Sequence, residues 1–253
     1  MWNWQITTAV KESNLKVKSK FIERHGAKRR LVIPDIHGCA KTLDALLREL
    51  KLGKDDQIFF LGDYIDRGPD SKGVLDIVMR LLDDGYQAFP LMGNHENDLL
   101  VFSDSPRIVE RLARRSALTG IVTAEFKVEK RYLDFIAQLP AYYELDHFFL
   151  VHAGFNFFKE KPFEEYEDML WIRNFSLSDE FSRRKKTIVH GHTPTALRHI
   201  KERIDEHESI IGLDNGCVFN DLSCGFFGLL CYNLDTKELI CQANLDVDRC
   251  FGE

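Results

Sequence analysis

Short apolar runs alternate with amphipathic segments in the first part of the chain. The runs at residues 31–35, 57–62 and 86–92 read as buried strands, and each ends beside glycine in a polar cluster. Between them, apolar residues recur every three or four positions, which predicts two helices, the second with Ser71 as its N-cap. This alternation predicts parallel strands whose ends bring the polar clusters to one edge of a sheet.

The pattern changes in the middle of the chain. From about residue 97 to residue 139 it indicates helices without strands, which we interpret as a helical cap insertion within a single domain spanning residues 1–253. Strands then resume at residues 141–145 and 148–151. Two final apolar runs, 226–232 and 239–244, predict a hairpin with a longer loop.

Composition narrows the possible classes of protein. The 253 residues are 44% hydrophobic and carry a formal net charge of -6, which argues against a general nucleic-acid surface. No apolar stretch is long enough to cross a membrane. The first residues, which lead from Met1 into polar and charged positions, lack a secretory pattern. We therefore expect a cytoplasmic protein with neither a nucleic-acid nor a membrane partner.

The most informative stretch is the segment 62–68, which follows one of the buried strands. It places two carboxylates, Asp63 and Asp66, beside the guanidinium of Arg67. Carboxylates gathered at a strand end favour hard or borderline metal ions. The planar guanidinium of an arginine fits a phosphate group. This stretch therefore predicts a metal ion and a phosphate at one site.

Five further clusters have the same character. Taken singly each is weak evidence, because a lone buried histidine is more often a core residue than a ligand. Their recurrence beside glycine after apolar strands favours a functional site over chance. With the first, they are residues 35–38, 62–68, 93–96, 152–154, 190–193 and 213–216.

Three of these motifs have a specific resemblance. Residues 35–38, 62–68 and 93–96 resemble the signature of the phosphoprotein phosphatases, the serine/threonine branch of the calcineurin-like metallophosphoesterases, and His152 and His192 extend the match. Within this family, the chain resembles the short bacterial and phage members, which are similar to lambda phosphatase. The resemblance implies an α/β fold, in which a β-sandwich of mixed sheets is flanked by helices.

The resemblance also implies a dinuclear metal site. Its nitrogen and oxygen ligands suit manganese, iron or zinc better than calcium and do not choose among the three; manganese is the expected metal. His190 and His192 follow the same strand two residues apart, so both could face the site; the family pattern favours His192. The implied ligands are Asp35 and His37 for one metal, Asp63 as the bridge, and Asn94, His152 and His192 for the other.

The family's chemistry assigns roles to the remaining polar residues. Two metal ions would acidify a water that attacks phosphorus in line. His95 would protonate the leaving group as general acid, with Asp66 holding its imidazole in the required tautomer. Arg67, Arg173 and Asn94 would contact the phosphate.

Three functions are compatible with these residues. The expected one is a serine/threonine protein phosphatase acting on a phosphoprotein or phosphopeptide. The alternative is hydrolysis of dinucleoside polyphosphates of the diadenosine tetraphosphate type; related tetraphosphatases tend to lack the aspartate found here as Asp66. A non-catalytic scaffold is the third. One departure bears on substrate: Asn215 stands where family members often have threonine.

Overall fold

A computed structural model describes residues 17–115 and 118–247. The termini included in the single-domain prediction lie outside the described residues, so that assignment stays a prediction. The strands are β1 (Ser19–Phe21), β2 (Arg30–Ile33), β3 (Gln57–Phe60), β4 (Gln87–Pro90), β5 (Tyr142–Glu144), β6 (Phe148–Val151), β7 (Thr187–His190), β8 (Ile210–Gly212), β9 (Gly228–Asn233) and β10 (Leu239–Ala243). The α-helices are α1 (Ala40–Leu50), α2 (Ser71–Asp83), α3 (Asn94–Val101), α4 (Pro106–Arg115), α5 (Lys130–Ile136), α6 (Tyr166–Trp171), α7 (Asp179–Ser182) and α8 (Leu197–Asp205).

The strands form two five-stranded mixed sheets. Sheet I has the order β10-β9-β2-β3-β4, and β2, β3 and β4 are parallel, as the βαβ alternation predicted. Sheet II has the order β1-β5-β6-β7-β8. The predicted hairpin is confirmed as the antiparallel pair β9 and β10 at the edge of sheet I.

Alternation along the strands explains how the sheets stack. In β2, Val32 belongs to the core between the two sheets, whereas Leu31 and Ile33 face the helix side. Leu150 of β6 and Val189 of β7 meet Val32 in the core from the opposite sheet. Because successive side chains point to opposite faces, each sheet packs on its partner with one face and on helices or loops with the other. The predicted α/β sandwich is confirmed.

Helices α1 and α2 cover the outer face of sheet I. Leu43 and Leu46 of α1 and Val74 and Val78 of α2 are fully buried in this layer. The N-cap prediction for α2 was wrong by one residue. The side chain of Asp70 accepts from the N–H of Gly73 (2.7 Å), while the Ser71 hydroxyl accepts from the N–H of Asp66 (3.0 Å).

The region predicted as a helical cap contains most of α3 and all of α4 and α5. Tyr132 of α5 donates its hydroxyl to Asp76 of α2 (3.0 Å), and Ile121 and Ile136 are buried in the core beside α2. These contacts attach the region to the helical layer of sheet I; its function as a cap stays a prediction. Within the described residues, no helix has both the length and the apolar character needed to span a membrane.

Candidate active site

The polar clusters meet where strands of the two sheets end. Asp35 and His37 follow β2, Asp63 follows β3 and Asn94 follows β4. Sheet II adds residues from the ends of β6 and β7. Ligand sites in α/β proteins gather at the carboxyl ends of parallel strands. The set predicted from the sequence, Asp35, His37, Asp63, Asn94, His152 and His192, is buried here.

Several of these side chains depend on unusual backbone conformations. His37, Asp63, Asp66, Arg67 and His192 have φ values of +47°, +52°, +72°, +65° and +65°. Non-glycine residues rarely adopt this left-handed region, and such conformations persist where the surrounding structure enforces them. Their concentration in one place marks a functional site.

Two glycines allow close approach of the site carboxylates. A Cβ atom on Gly93 would lie 2.2 Å from the backbone nitrogen of Asp63, and one on Gly191 would lie 2.0 Å from Asp35 Oδ1. Both are far below any tolerable contact. Glycine at these positions therefore lets Asp63 and Asp35 turn into the space between the strand ends.

The donor atoms form two groups that share one carboxylate. Oxygen and nitrogen atoms of His37, Asp63 and His95 lie within 4.8 Å of one another, and so do those of Asp63, His152 and His192. Asp63 Oδ2 is 3.5 Å from His37 Nε2, and Asp63 Oδ1 is 3.5 Å from His152 Nε2. A carboxylate placed between two donor groups has the arrangement of a bridging ligand in a two-metal site.

Unsatisfied polar atoms support this interpretation. Asp35 Oδ2, His37 Nε2 and His192 Nε2 are buried without a hydrogen-bond partner. Such atoms are costly unless something binds them. His37 Nδ1 donates to the carbonyl of Ile65 (2.9 Å), which leaves the Nε2 lone pair directed at the site.

His152 and Asn94 present a similar case. His152 Nδ1 donates to the Leu61 carbonyl (2.8 Å), so in the neutral ring Nε2 is an acceptor. That atom lies 2.9 Å from Asn94 Oδ1, a second acceptor. Two hydrogen-bond acceptors at this distance repel each other unless a cation binds both. These ligand atoms therefore fit a metal ion.

Electrostatics lead to the same conclusion. Burial lowers the pKa of His37 and of His192 to about 3, which keeps both rings neutral and able to donate a lone pair. Burial, together with the charges of Asp214 and Asp63, raises the pKa of Asp35 well above its usual value. Bound cations would relieve this crowding of negative charge.

The ambiguity between His190 and His192 is resolved by their positions. The His190 ring packs against Phe175 and its Nδ1 hydrogen-bonds to the Gly191 carbonyl (2.9 Å). His192 lies beyond the end of β7, within the group around Asp63. The structure therefore brings His192 to the site and leaves His190 in the core.

The predicted acid pair is in contact. His95 Nδ1 lies 2.5 Å from Asp66 Oδ2, and Arg67 Nη2 lies 3.3 Å from His95 Nε2. Burial lowers the pKa of His95, but the carboxylates of Asp63 and Asp66 outweigh that effect and raise it to about 9. The raised pKa keeps the His95 ring protonated at neutral pH, as the predicted acid role requires.

The two predicted phosphate-binding arginines lie at the exposed edge of the site. Arg67 adjoins His95, and Arg173 follows the end of α6. The positive charge of Arg173 contributes to lowering the pKa of His192 and opposes the rise in the pKa of Asp214, which places it beside these residues. Both side chains are exposed, so their predicted role in binding phosphate stays a prediction.

Two further residues received no role from the sequence. Glu96 is fully buried, and its carboxylate accepts backbone N–H groups of Asp63 (2.8 Å), Tyr64 (2.8 Å), Ile65 (3.1 Å) and Gly93 (3.2 Å). It thereby holds the Asp63 loop to the start of α3. Asp214 is buried near the donor groups, and burial raises its pKa to about 6. Both residues lie within polar clusters identified in the sequence, but only the folded structure shows which groups surround them.

The site has a buried set of candidate metal-donor atoms that share one carboxylate. A polarised histidine and two arginines lie at its edge. Together these features define a metal-dependent phosphoesterase. The model of the family "Calcineurin-like phosphoesterase" matches residues 28–219, which is most of the chain. The chain belongs to the calcineurin-like phosphoesterase family.

The chain is similar in sequence to two kinds of bis(5'-nucleosyl)-tetraphosphatase. The chain is 27% identical over 250 residues to the asymmetrical bis(5'-nucleosyl)-tetraphosphatase PrpE of Oceanobacillus iheyensis, covering 84% of this chain and 91% of the relative. It is 33% identical over 127 residues to a symmetrical bis(5'-nucleosyl)-tetraphosphatase of an Acidovorax species, covering 48% of this chain and 42% of the relative.

Solved structures share the fold. A putative diadenosine tetraphosphatase has a TM-score of 0.65 at 20% identity, covering 91% of this chain and all of the other. A Saccharomyces cerevisiae protein serine/threonine phosphatase similar to human PP5 has a TM-score of 0.58 at 16% identity, covering 93% and 85%. At these identities the likeness concerns the fold alone.

Proposed function

We propose that this chain hydrolyses dinucleoside polyphosphates of the diadenosine tetraphosphate type. The observation that carries this proposal is the match to the asymmetrical tetraphosphatase of O. iheyensis, which covers 84% of this chain and 91% of the relative. The sequence motifs favoured a protein phosphatase and kept this activity as the alternative. The relatives favour the alternative.

Six side chains would hold two divalent cations, with manganese as the expected metal. Asp35 and His37 would bind one, Asp63 both, and Asn94, His152 and His192 the other; the unsatisfied atoms of this set support the assignment. When bound, such ions act as Lewis acids toward phosphoryl oxygens and acidify water.

The remaining residues act on the substrate directly. Arg67 and Arg173 would bind the non-bridging oxygens of the phosphate under attack, where negative charge develops. Water loses one proton to bulk solvent and adds as hydroxide to that phosphorus, and the bridging P–O bond breaks. His95, held by Asp66, donates its proton to the departing nucleotide oxygen.

A second candidate function is the hydrolysis of phosphoserine or phosphothreonine in proteins. The observation that favours it is the contact between Asp66 and His95. A serine or threonine alkoxide is a poor leaving group and needs a strong general acid. A nucleotide phosphate leaves more readily and depends less on such a pair.

The test compares three substrates with the manganese-loaded protein. Diadenosine tetraphosphate should give a higher kcat/KM than a phosphoserine peptide, and p-nitrophenyl phosphate should be turned over by either kind of enzyme. Product analysis separates the two modes of cleavage: an off-centre cut yields ATP and AMP, and a central cut yields two ADP. The long match to the asymmetrical relative leads us to expect ATP and AMP.

Two outcomes would contradict the proposal. Preference for the phosphopeptide would support the second candidate. Failure to turn over any of the three substrates, p-nitrophenyl phosphate included, would indicate a scaffold.

A further inference from the structure

A groove of about 950 Å³ opens beside the candidate active site. One wall is the segment that enters α8, and the other is the loop before β9. We call it the distal groove; its walls are residues 194–199 with Lys201, and residues 222–227. No role in the chemistry above uses these residues.

The distal groove adjoins the site through two connections. Pro194, in its wall, is two residues from His192, so their Cα atoms are at most roughly 7.6 Å apart. Phe226, in the other wall, has its ring centroid 6.3 Å from that of Phe219. The Phe219 ring in turn lies 6.0 Å from the guanidinium carbon of Arg67. The groove is therefore connected to His192 through Pro194 and to Arg67 through Phe219.

The walls combine positive charge with apolar and aromatic surface. Arg198 and Lys201 are exposed, and within the described residues no carboxylate oxygen lies within 4.0 Å of their cationic groups. Phe226 and Phe227 are partly exposed, and Leu222 is 49% exposed. Cations attract phosphate groups, and aromatic rings stack on nucleobases. The chemistry of the groove thus matches a nucleoside phosphate better than a peptide.

The two walls of the distal groove are held together by the side chain of one residue. The amide nitrogen of Asn215 donates to the carbonyls of Thr195 (3.1 Å) and Gly225 (2.7 Å), one in each wall. Its oxygen accepts from the backbone N–H groups of Phe227 (3.3 Å) and Gly228 (3.2 Å). Asn215, the residue that departs from the family pattern, therefore fixes the distance between the walls and ties them to the Asp214 loop.

We infer that the distal groove binds the second nucleoside of a dinucleoside polyphosphate, the half that lies beyond the phosphate under attack. Arg198 and Lys201 bind the phosphates next to it, and the aromatic wall packs on its base. This inference rests on the proposed function and adds to it the recognition of the whole dinucleotide.

The first test removes the two unpaired charges. The double variant Arg198→Gln/Lys201→Gln should lower kcat/KM for diadenosine tetraphosphate by about tenfold, which corresponds to roughly 1.4 kcal/mol. Turnover of p-nitrophenyl phosphate, which is too small to reach the groove, should be unchanged. The matched control is Arg80→Gln/Lys237→Gln, which removes the same charges from exposed positions elsewhere and should leave both substrates unaffected.

The second test uses a native thiol and needs no turnover. Cys224 lines the groove and is exposed, whereas Cys39, Cys217 and Cys231 are buried. With the metal-loaded protein, a methylene-bridged analogue of diadenosine tetraphosphate should slow alkylation of Cys224 by iodoacetamide, followed by peptide mass spectrometry. Inorganic phosphate, which has no base to cover the thiol, should slow it far less.

The outcomes separate the two proposals. If the wild-type protein turns over p-nitrophenyl phosphate but not diadenosine tetraphosphate, the proposed function fails. If it cleaves the dinucleotide while the double variant keeps full kcat/KM, or while the analogue leaves Cys224 alkylation unchanged, the groove inference is overturned. An equal loss on both substrates would also overturn it, because the charges would then act on the catalytic centre.

Discussion

The floor and the rim of the site differ in their burial and in the elements that carry their residues. The floor comprises Asp35, His37, Asp63, His152 and His192, each no more than 6% exposed. The rim comprises Arg67, Arg173 and the distal groove, whose cationic side chains are exposed. Floor residues sit at strand ends between two sheets, whereas rim residues stand on loops and on the first two turns of α8.

This difference separates the reaction from the substrate. The floor contains the candidate donor atoms for metal ions, which fit the phosphoesterase family to which the chain belongs. In the proposed function, the rim would select which phosphate compound can approach, and loops of this kind vary more readily than the strands that support them. A sequence motif drawn from the floor therefore predicts the chemistry well and the substrate poorly.

The largest effect is expected from the floor, in Asp63→Asn. The amide removes the charge of the shared ligand, so bound manganese and turnover of every substrate should be lost together. Metal content by mass spectrometry and p-nitrophenyl phosphate hydrolysis measure the two losses, and Asp146→Asn, at an exposed position, is the control. Full metal loading in the variant would contradict the bridging role.

His95→Asn tests the residue between floor and rim, whose side chain is 19% exposed. Loss of a general acid costs on the order of 10²- to 10⁴-fold where the leaving group needs its proton. The loss should be largest for a phosphoserine peptide and smaller for diadenosine tetraphosphate and p-nitrophenyl phosphate. Metal content should stay at the wild-type level.

His147→Asn removes an exposed histidine and serves as the control for this comparison. Equal losses on all three substrates would argue against proton donation by His95. Asp66→Asn should reproduce part of the His95 defect, since it removes the partner that orients the ring. Wild-type rates in that variant would exclude the pairing.

The positions that the sequence could not assign share a physical cause. β1 escaped prediction because Ser19, Lys20 and Phe21 are all exposed; the segment becomes a strand only by pairing with β5. Alternation could not choose between His190 and His192, because β7 ends at His190. The left-handed turn at His192, whose N–H donates to Asp35 Oδ1 (2.8 Å), then redirects its ring. In both cases a tertiary contact outweighed the local pattern.

The expectation of a phosphoprotein substrate rested on Asp66. The contact that Asp66 makes explains why that argument was weak. Asp66 pairs with His95, so its presence reports on proton transfer to a leaving group. It does not touch the distal groove, where a second nucleoside would bind. The sequence contains Asn215, Arg198 and Lys201, but no local pattern indicates that they border one cavity beside the site.

Arg67→Ala should have an intermediate effect, since it removes a rim residue that still acts on the phosphate. Losing one donor to developing negative charge lowers kcat by about 10²- to 10³-fold. The loss should apply to p-nitrophenyl phosphate as well as to the dinucleotide, because both present the same phosphoryl group. Arg67→Lys should recover part of it; a loss confined to the dinucleotide would instead assign Arg67 to the groove.

The smallest effect on chemistry is expected from Asn215→Ala. The substitution leaves the N–H groups of Phe227 and Gly228 without their side-chain acceptor, and unfolding free energy should fall by roughly 1–3 kcal/mol in urea titration. KM for diadenosine tetraphosphate should rise because the groove walls are no longer held together, while p-nitrophenyl phosphate turnover is retained. Asn156→Ala, which removes an acceptor of one local N–H group, is the matched control. An unchanged KM in a variant that is clearly less stable would show that Asn215 supports the fold alone, and the rim would then not depend on the spacing of its walls.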